Sequence, residues 1–223
     1  MRAPKILALL IGLLLVQPSQ AELLVDARSG PVLGSATAIG GARLVTNRHV
    51  VEPALRAGRM LAVQQGEARL AVRVAAVSDR MDLALLVAAA PLAAQPVLRE
   101  TPPRRDHRVF ARTPAGATLA GSVVAFPWSQ AWGPALFVRL AVSYGASGGA
   151  VTDDDGALVG MITAAVNPDA RQMQMLRSRA GEPPPGAPRP PGAPRLSPPP
   201  TVLVLPIQAV LQEVARLEAL PAR

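Results

Sequence analysis

The 223-residue sequence contains no cysteine and two histidines. Without thiols the chain can form no disulfide scaffold, no thiolate metal site and no cysteine nucleophile. His49 and His107 alone leave little for a histidine-based metal site, so we expect neither a bound metal nor a cofactor. Half of the residues are apolar, which excludes wholesale disorder and allows a sizeable core.

Aromatic residues are also scarce, at 3% of the chain, while the formal net charge is +8. A basic chain makes nucleic acid or an anionic surface a candidate partner. The arginines are scattered, however, and aromatic side chains are not interleaved with them as in a base-stacking platform. We therefore expect no nucleic-acid partner.

The first 21 residues have the pattern of a bacterial signal peptide. Arg2 and Lys5 precede an apolar run over residues 6–16, and small residues follow up to Ala21. The run is shorter than the roughly 20 residues that span a bilayer, which favours cleavage over a retained anchor. We expect a periplasmic or secreted protein with no stable membrane span after cleavage. Cleavage would lower the net charge to +6, because the segment carries two cations and no acid.

The remaining chain predicts an all-β protein in two similar halves. Alanine-rich stretches at 52–57 and 88–94 suggest only helical turns, and residues 99–108, rich in proline, arginine and aspartate, form a linker. The predicted units are an N-terminal β-barrel over 22–100 and a C-terminal β-barrel over 101–223. Short apolar runs predict strands at 35–39, 43–45, 61–64, 69–77, 83–87, 109–112, 117–126, 136–140, 150–152, 158–165 and 201–205.

A proline-rich insertion interrupts the second half over residues 177–200. Ten of the 24 prolines lie between 181 and 200, and proline both lacks an N–H group and restricts φ. After this insertion a terminal helix is predicted over 206–219, with Pro206 at its first position. Its apolar face consists of Ile207, Val210, Leu211, Val214 and Leu217. We expect this face to pack on the rest of the domain.

Ser147 is the candidate nucleophile, within the glycine-rich segment 145–149. A serine hydroxyl needs a base, and flanking glycines let N–H groups converge on an oxyanion. The segment satisfies G-x-S-x-G, but an α/β-hydrolase needs a histidine after the serine and none follows here. A subtilisin-type order would use Asp26, His49 and Ser147, but the sequence lacks the alternating strands and helices of that fold. The order His, Asp, Ser remains, as on chymotrypsin-type barrels.

His49 and Asp82 are the candidates for the other two positions. His49 follows the apolar strand that ends near Val45, and Asp82 begins the apolar strand 83–87. A carboxylate at the mouth of such a strand is costly to bury unless it is paired, and orienting an imidazole would explain its position. Asp79 is the alternative to Asp82 for this role, but Arg80 follows Asp79 directly and the two residues are typical of a solvated turn.

Together these segments resemble the HtrA/Deg type of trypsin-like serine protease. The resemblance is carried by Leu44–Val51, Asp82–Leu86 and Gly145–Val151, and by 155–161 after them. It implies two six-stranded antiparallel β-barrels of the chymotrypsin kind with a C-terminal helix, and a serine endopeptidase acting on polypeptides through an acyl-enzyme. Only the protease domain is recognised, with no PDZ domain following.

In such proteases the histidine is the general base, the aspartate orients it and the serine attacks. The resemblance transfers these roles to His49, Asp82 and Ser147, with an oxyanion hole from the N–H groups of Gly145 and Ser147. Ala146 departs from the asparagine of the family and from the aspartate of digestive trypsins. We therefore expect no activation by a newly cleaved N-terminus.

The resemblance also places the primary substrate pocket at Ala141, Ile162, Thr163 and Ala164. Nothing acidic lies there, so we expect small or medium apolar residues before the cleaved bond. The proline-rich insertion lies beside this pocket, either as a tolerated surface loop or as a gate. The alternative function is a catalytically silent barrel that acts as a binding module, and the oligomeric state stays open.

Overall fold

The computed structural model describes residues 20–25, 32–65, 68–92, 96–113, 116–126, 128–129, 133–166 and 200–220. The predicted signal peptide up to residue 19 and the proline-rich insertion up to residue 199 lie outside these ranges. Within the described ranges, no helix is both long enough and apolar enough to cross a membrane.

The first half of the chain forms a closed barrel of six antiparallel strands. Neighbours around the barrel follow the order β1-β2-β3-β6-β5-β4. Small and branched side chains fill its interior, including Ala36, Leu44, Val63 and Leu86. The strands are β1 (Gln20–Val25), β2 (Val32–Gly40), β3 (Arg43–Thr46), β4 (Leu61–Gln65), β5 (Ala68–Val77) and β6 (Ala84–Ala88).

The second half forms another closed six-stranded barrel, in the order β11-β14-β13-β12-β7-β8. A two-stranded ribbon lies beside it, made of β9 (Trp128–Ser129) and β10 (Gly133–Pro134). The predicted all-β fold of two six-stranded antiparallel barrels is thus confirmed. The strands are β7 (Arg108–Arg112), β8 (Thr118–Ala125), β11 (Leu136–Arg139), β12 (Ala150–Thr152), β13 (Leu158–Val166) and β14 (Thr201–Pro206).

In the part of the chain that the structure describes, two helices accompany the barrels. The first, α1 (Arg48–Arg56), includes residues 52–56 of the helical turn predicted at 52–57 and extends it towards the N-terminus, while Ala57 is its C-cap. The turn predicted at 88–94 is wrong over its described part, since no helix occurs at 88–92. The backbone N–H groups of Ala88 and Leu92 donate instead to the carbonyls of Ala42 and Gly41, which is incompatible with a local helix.

The C-terminal helix α2 (Ile207–Glu218) closes the seam between the barrels. Its apolar face packs in one cluster with residues of both halves, Leu83 and Leu85 from the first and Leu158 and Met161 from the second. The helix begins one residue later than predicted, because Pro206 has an extended backbone (φ −60°, ψ 141°) and precedes the first turn. This helix therefore packs against residues of both barrels.

Candidate active site

Strand pairing brings His49 and Asp82 together. β3 pairs antiparallel with β6, with Thr46 opposite Ala84. His49 follows β3 in the first turn of α1, and Asp82 lies just before β6, so both lie at the same edge of the first barrel. The side chains meet because the barrel joins strands that are distant in the sequence.

Two hydrogen bonds connect His49 with the carboxylate of Asp82. The backbone N–H of His49 donates to Oδ1 at 3.0 Å, and ring atom Nδ1 lies 2.6 Å from Oδ2. The Asp82 side chain is 9% exposed, whereas the His49 ring is 50% exposed. Because the Asp82 carboxylate is almost fully buried, its hydrogen bonds compensate for the lost contact with water. The same bonds set the orientation of the His49 ring.

Asn47 anchors the backbone beside this pair. Its side-chain nitrogen donates to the carbonyl oxygen of Asp82 at 3.0 Å and to Thr163 Oγ1 at 3.3 Å. Asn47 and Thr163 are both fully buried. Because Thr163 belongs to β13, these bonds connect the Asp82 loop with the second barrel.

The loop that carries Ser147 is held by the first barrel through β2. The backbone N–H of Ser35 donates to the Ser147 carbonyl at 2.8 Å, and the Ser35 hydroxyl donates to the Gly145 carbonyl at 2.9 Å. The hydroxyl of Thr37 donates to the Gly148 carbonyl at 2.8 Å. Three successive contacts from one strand thus restrain the loop around the serine.

The same loop is also bonded to the second barrel. The N–H of Gly148 donates to the Ile162 carbonyl, and the N–H of Ile162 donates to the Gly149 carbonyl, both at 2.8 Å. Gly145 and Gly148 have φ values of 87° and 86°, a region that side-chain-bearing residues rarely adopt. The glycines are therefore required by the path of the backbone.

A cleft of about 440 Å³ contains both His49 and Ser147. No hydrogen bond joins these two side chains among the described residues. None of the residues that line the cleft is acidic. The lining residues are His49, Val50, Pro53, Val142, Ser143, Tyr144, Gly145, Ala146, Ser147 and Ile162.

The four residues predicted for the substrate pocket lie in different surroundings. Ile162 lines the cleft, whereas Ala141, Thr163 and Ala164 are not among its lining residues. Thr163 is fully buried and accepts the Asn47 hydrogen bond, while Ala141 is exposed and Ala164 half-buried. The structure thus brings one of the four next to His49 and Ser147.

Several residues at the site were assigned no role in the sequence analysis. Ser35, Thr37 and Asn47 hold the loops of the site, and Tyr144, a residue that is 92% exposed, lines the cleft. The available signal was modest, since Ser35 and Thr37 are polar residues inside an otherwise apolar strand. Across the described ranges, no group of three or more acidic, histidine or cysteine side chains is placed to hold a metal ion.

Comparison with known proteins gives one family match. The sequence model of the trypsin-like peptidase domain matches residues 32–161. A search of curated protein sequences found no significant match.

Solved structures with a similar fold are numerous. The active form of the Rv3671c protease from M. tuberculosis superposes with a TM-score of 0.66 at 20% identity, covering 93% of this chain and 84% of that one. Its inactive form gives 0.62 at 18% identity, with coverages of 92% and 91%. Deg5 gives 0.65 at 17% identity, with coverages of 91% and 90%.

Proposed function

This chain belongs to the family of trypsin-like peptidase domains and is a serine endopeptidase, and we propose that it cleaves peptide bonds with His49, Asp82 and Ser147. The observation that carries this assignment is the double hydrogen bond from His49 to the Asp82 carboxylate at the edge of the cleft that contains Ser147. It is the arrangement that a histidine base requires, because one ring nitrogen is held while the other serves the nucleophile.

In the proposed reaction, His49 Nε2 takes the proton of the Ser147 hydroxyl as Oγ attacks the peptide carbonyl carbon. The carbonyl oxygen becomes an oxyanion, stabilised by the N–H groups of Gly145 and Ser147. His49 then protonates the leaving amine, and an acyl-enzyme remains. Water, deprotonated by His49, releases the acid product and restores the serine.

Asp82 has two tasks in this scheme. Its bond to Nδ1 selects the ring tautomer in which Nε2 can accept the serine proton, and its charge stabilises the imidazolium formed during the attack. The burial of the Asp82 side chain, which is 9% exposed, supports this role because solvent screens the charge of the carboxylate only weakly.

We propose further that the enzyme prefers small or medium apolar residues before the cleaved bond. The apolar side chains of Val142, Ala146 and Ile162 line the cleft, and none of its lining residues is acidic. A positively charged side chain would therefore find no counter-ion there. A panel of chromogenic peptides that differ in this residue tests the preference, and faster cleavage after arginine would contradict it.

Export is also part of the proposal, on the signal-peptide pattern of residues 1–21. Cleavage after Ala21 would leave Glu22–Val25 of β1, which pairs with β4 over those four residues. N-terminal sequencing of the protein from a bacterial periplasm or medium should give Glu22 as the first residue. Recovery of the full-length chain in the membrane fraction would contradict cleavage.

Labelling with a fluorophosphonate tests the triad. We expect the wild-type protein to be modified at Ser147, and His49→Ala to be labelled far more slowly and to lose about 10⁴-fold or more in kcat. His107→Ala is the matched control, since it removes the only other histidine of the sequence. A folded wild-type protein that is not labelled would favour the catalytically silent binding module instead.

A further inference from the structure

Glu213 is a buried carboxylate that the proposed reaction does not use. It lies on α2 and is 6% exposed. Burying a carboxylate is unfavourable unless hydrogen bonds and an opposite charge compensate it. Its partners therefore indicate what the burial accomplishes.

Those partners connect the helix with the loop before β6. The Ser78 hydroxyl donates to Glu213 Oε1 at 2.5 Å, and Arg216 donates to Oε1 at 2.6 Å and to Oε2 at 2.9 Å. Arg216 also donates to Asp79 at 2.5 Å. The hydrogen bonds from Arg216 and Ser78 hold the pKa of the Glu213 carboxyl below its ordinary value, so the group is ionised at neutral pH.

Ser78 organises the turn that carries Asp82. Its hydroxyl oxygen accepts the backbone N–H groups of Arg80 at 3.0 Å and Met81 at 3.1 Å. Its own N–H donates to the Leu83 carbonyl at 2.9 Å, which closes the turn on both sides of Asp82. The hydroxyl hydrogen of Ser78 is directed to Glu213, so the lone pairs of the hydroxyl oxygen remain available to accept the N–H groups of the turn.

The same residue contacts the neighbour of His49. Arg48 Nη1 donates to the Ser78 carbonyl at 3.3 Å, and Arg48 immediately precedes His49 in α1. Ser78 therefore lies between α2, the Asp82 turn and the start of α1.

We propose that Ser78 and Glu213 are positioning residues that set the orientation of Asp82 towards His49. Glu213 fixes the direction of the Ser78 hydroxyl, Ser78 fixes the turn, and the turn presents the carboxylate to the imidazole. Because α2 packs against both barrels, the alignment of His49 with Asp82 depends on the position of this helix relative to them. The inference rests on the proposed triad but concerns different residues.

The low-field proton NMR signal of His49 Nδ1–H reports the bond to Asp82 without any turnover. We expect Ser78→Ala to weaken or shift this signal and to lower kcat about tenfold, the effect of one lost buried hydrogen bond, with KM unchanged. Ser78→Thr retains the hydroxyl and should restore both readouts. The matched control is Glu218→Gln on the same helix, which loses only the exposed 3.4 Å pair with Arg43 and should change neither readout.

Glu213→Gln is the second variant, since it keeps an acceptor for Ser78 but removes the charge that binds Arg216. We expect a smaller loss in kcat than for Ser78→Ala, again with KM unchanged. If both variants keep the wild-type signal and kcat while their melting temperatures fall, the network is merely structural and the proposal is overturned. A signal that changes in Ser78→Ala in a protein that no fluorophosphonate labels would support the positioning role and refute the proposed triad chemistry.

Discussion

The hydroxyl of Ser35 donates to the carbonyl of Gly145 at 2.9 Å, across 110 positions of sequence and from one barrel to the other. The backbone N–H of Ser35 holds the carbonyl of Ser147 in the same way. Two peptide groups of the proposed oxyanion loop are thus restrained by a single residue of β2. A preorganised oxyanion hole depends on such restraints, since its donors must not reorganise during the reaction.

Removing the Ser35 hydroxyl should reduce turnover. Ser35→Ala leaves the backbone bond to Ser147 intact and frees the Gly145 carbonyl, so we expect kcat to fall about tenfold with KM unchanged. Steady-state kinetics with a peptide substrate measures the effect. Thr118→Ala, at an exposed position of β8, is the control. Wild-type kcat in a correctly folded Ser35→Ala protein would show that the restraint is dispensable.

Gly148 is the glycine whose replacement should be least tolerated. Its φ is 86°, and a Cβ there would overlap the carbonyl oxygen of Ser35 and press on Thr46 Oγ1. We expect Gly148→Ala to destabilise the fold by about 2–5 kcal/mol, from backbone strain and overpacking together. Urea denaturation measures this loss.

Gly58→Ala separates the two contributions. Gly58 has a φ of 61°, but a Cβ there would meet no atom within 4 Å. Only the backbone strain of about 1–2 kcal/mol should remain. Equal losses for the two variants would contradict the steric contribution assigned to Gly148.

The Glu213–Arg216 pair should make stability depend on acid pH. The pKa of Glu213 is lowered below 4.5, chiefly by hydrogen bonds from Arg216 and also from Ser78, and the exposed Asp79 is lowered below 3.8 mainly by Arg216. A carboxyl whose pKa is lower in the folded state stabilises the fold above its unfolded pKa. That contribution disappears as pH falls through the folded value.

Arg216→Met should therefore lower the melting temperature more at about pH 7 than at about pH 3, because pH 3 lies below the ordinary pKa values of both carboxyls and part of this contribution is already lost there. Thermal unfolding at both pH values checks this. Arg56→Met is the control, because the exposed pair with Glu52 should contribute little at either pH. A melting-temperature difference that is independent of pH would contradict an electrostatic role for Arg216.

Asp153 should stabilise the turn between β12 and β13. Its side chain is 1% exposed, and Oδ1 accepts the backbone N–H groups of Asp155 at 3.0 Å and Ala157 at 2.9 Å. Asp153→Ala leaves these donors without this acceptor, and we expect a loss of about 1–3 kcal/mol in unfolding free energy. The adjacent, exposed Asp154→Ala should cost much less in the same denaturation experiment. Similar losses for both would exclude this role.

Much of the architecture was predictable because it depends on local patterns. Strand positions follow from short apolar runs, and the observed β12 (Ala150–Thr152) coincides with the predicted strand. The helix α2 follows from apolar residues three and four apart, and the observed helix is one residue shorter than predicted at each end. The triad candidates could be named because histidine, aspartate and serine each lie in a distinctive local segment.

What the sequence alone determined, then, is which strands can form, which residue types can do acyl transfer and in which order they occur. The tertiary structure decided how β3 and β6 bring His49 against Asp82, why Ser35 reaches Gly145, and why the Glu213 carboxylate is buried against Ser78 and Arg216. These relationships involve residues far apart in the chain, and local hydropathy contains no information on their partners. Closing the two barrels and packing α2 across their seam makes these contacts, because strand pairing and apolar burial act through space.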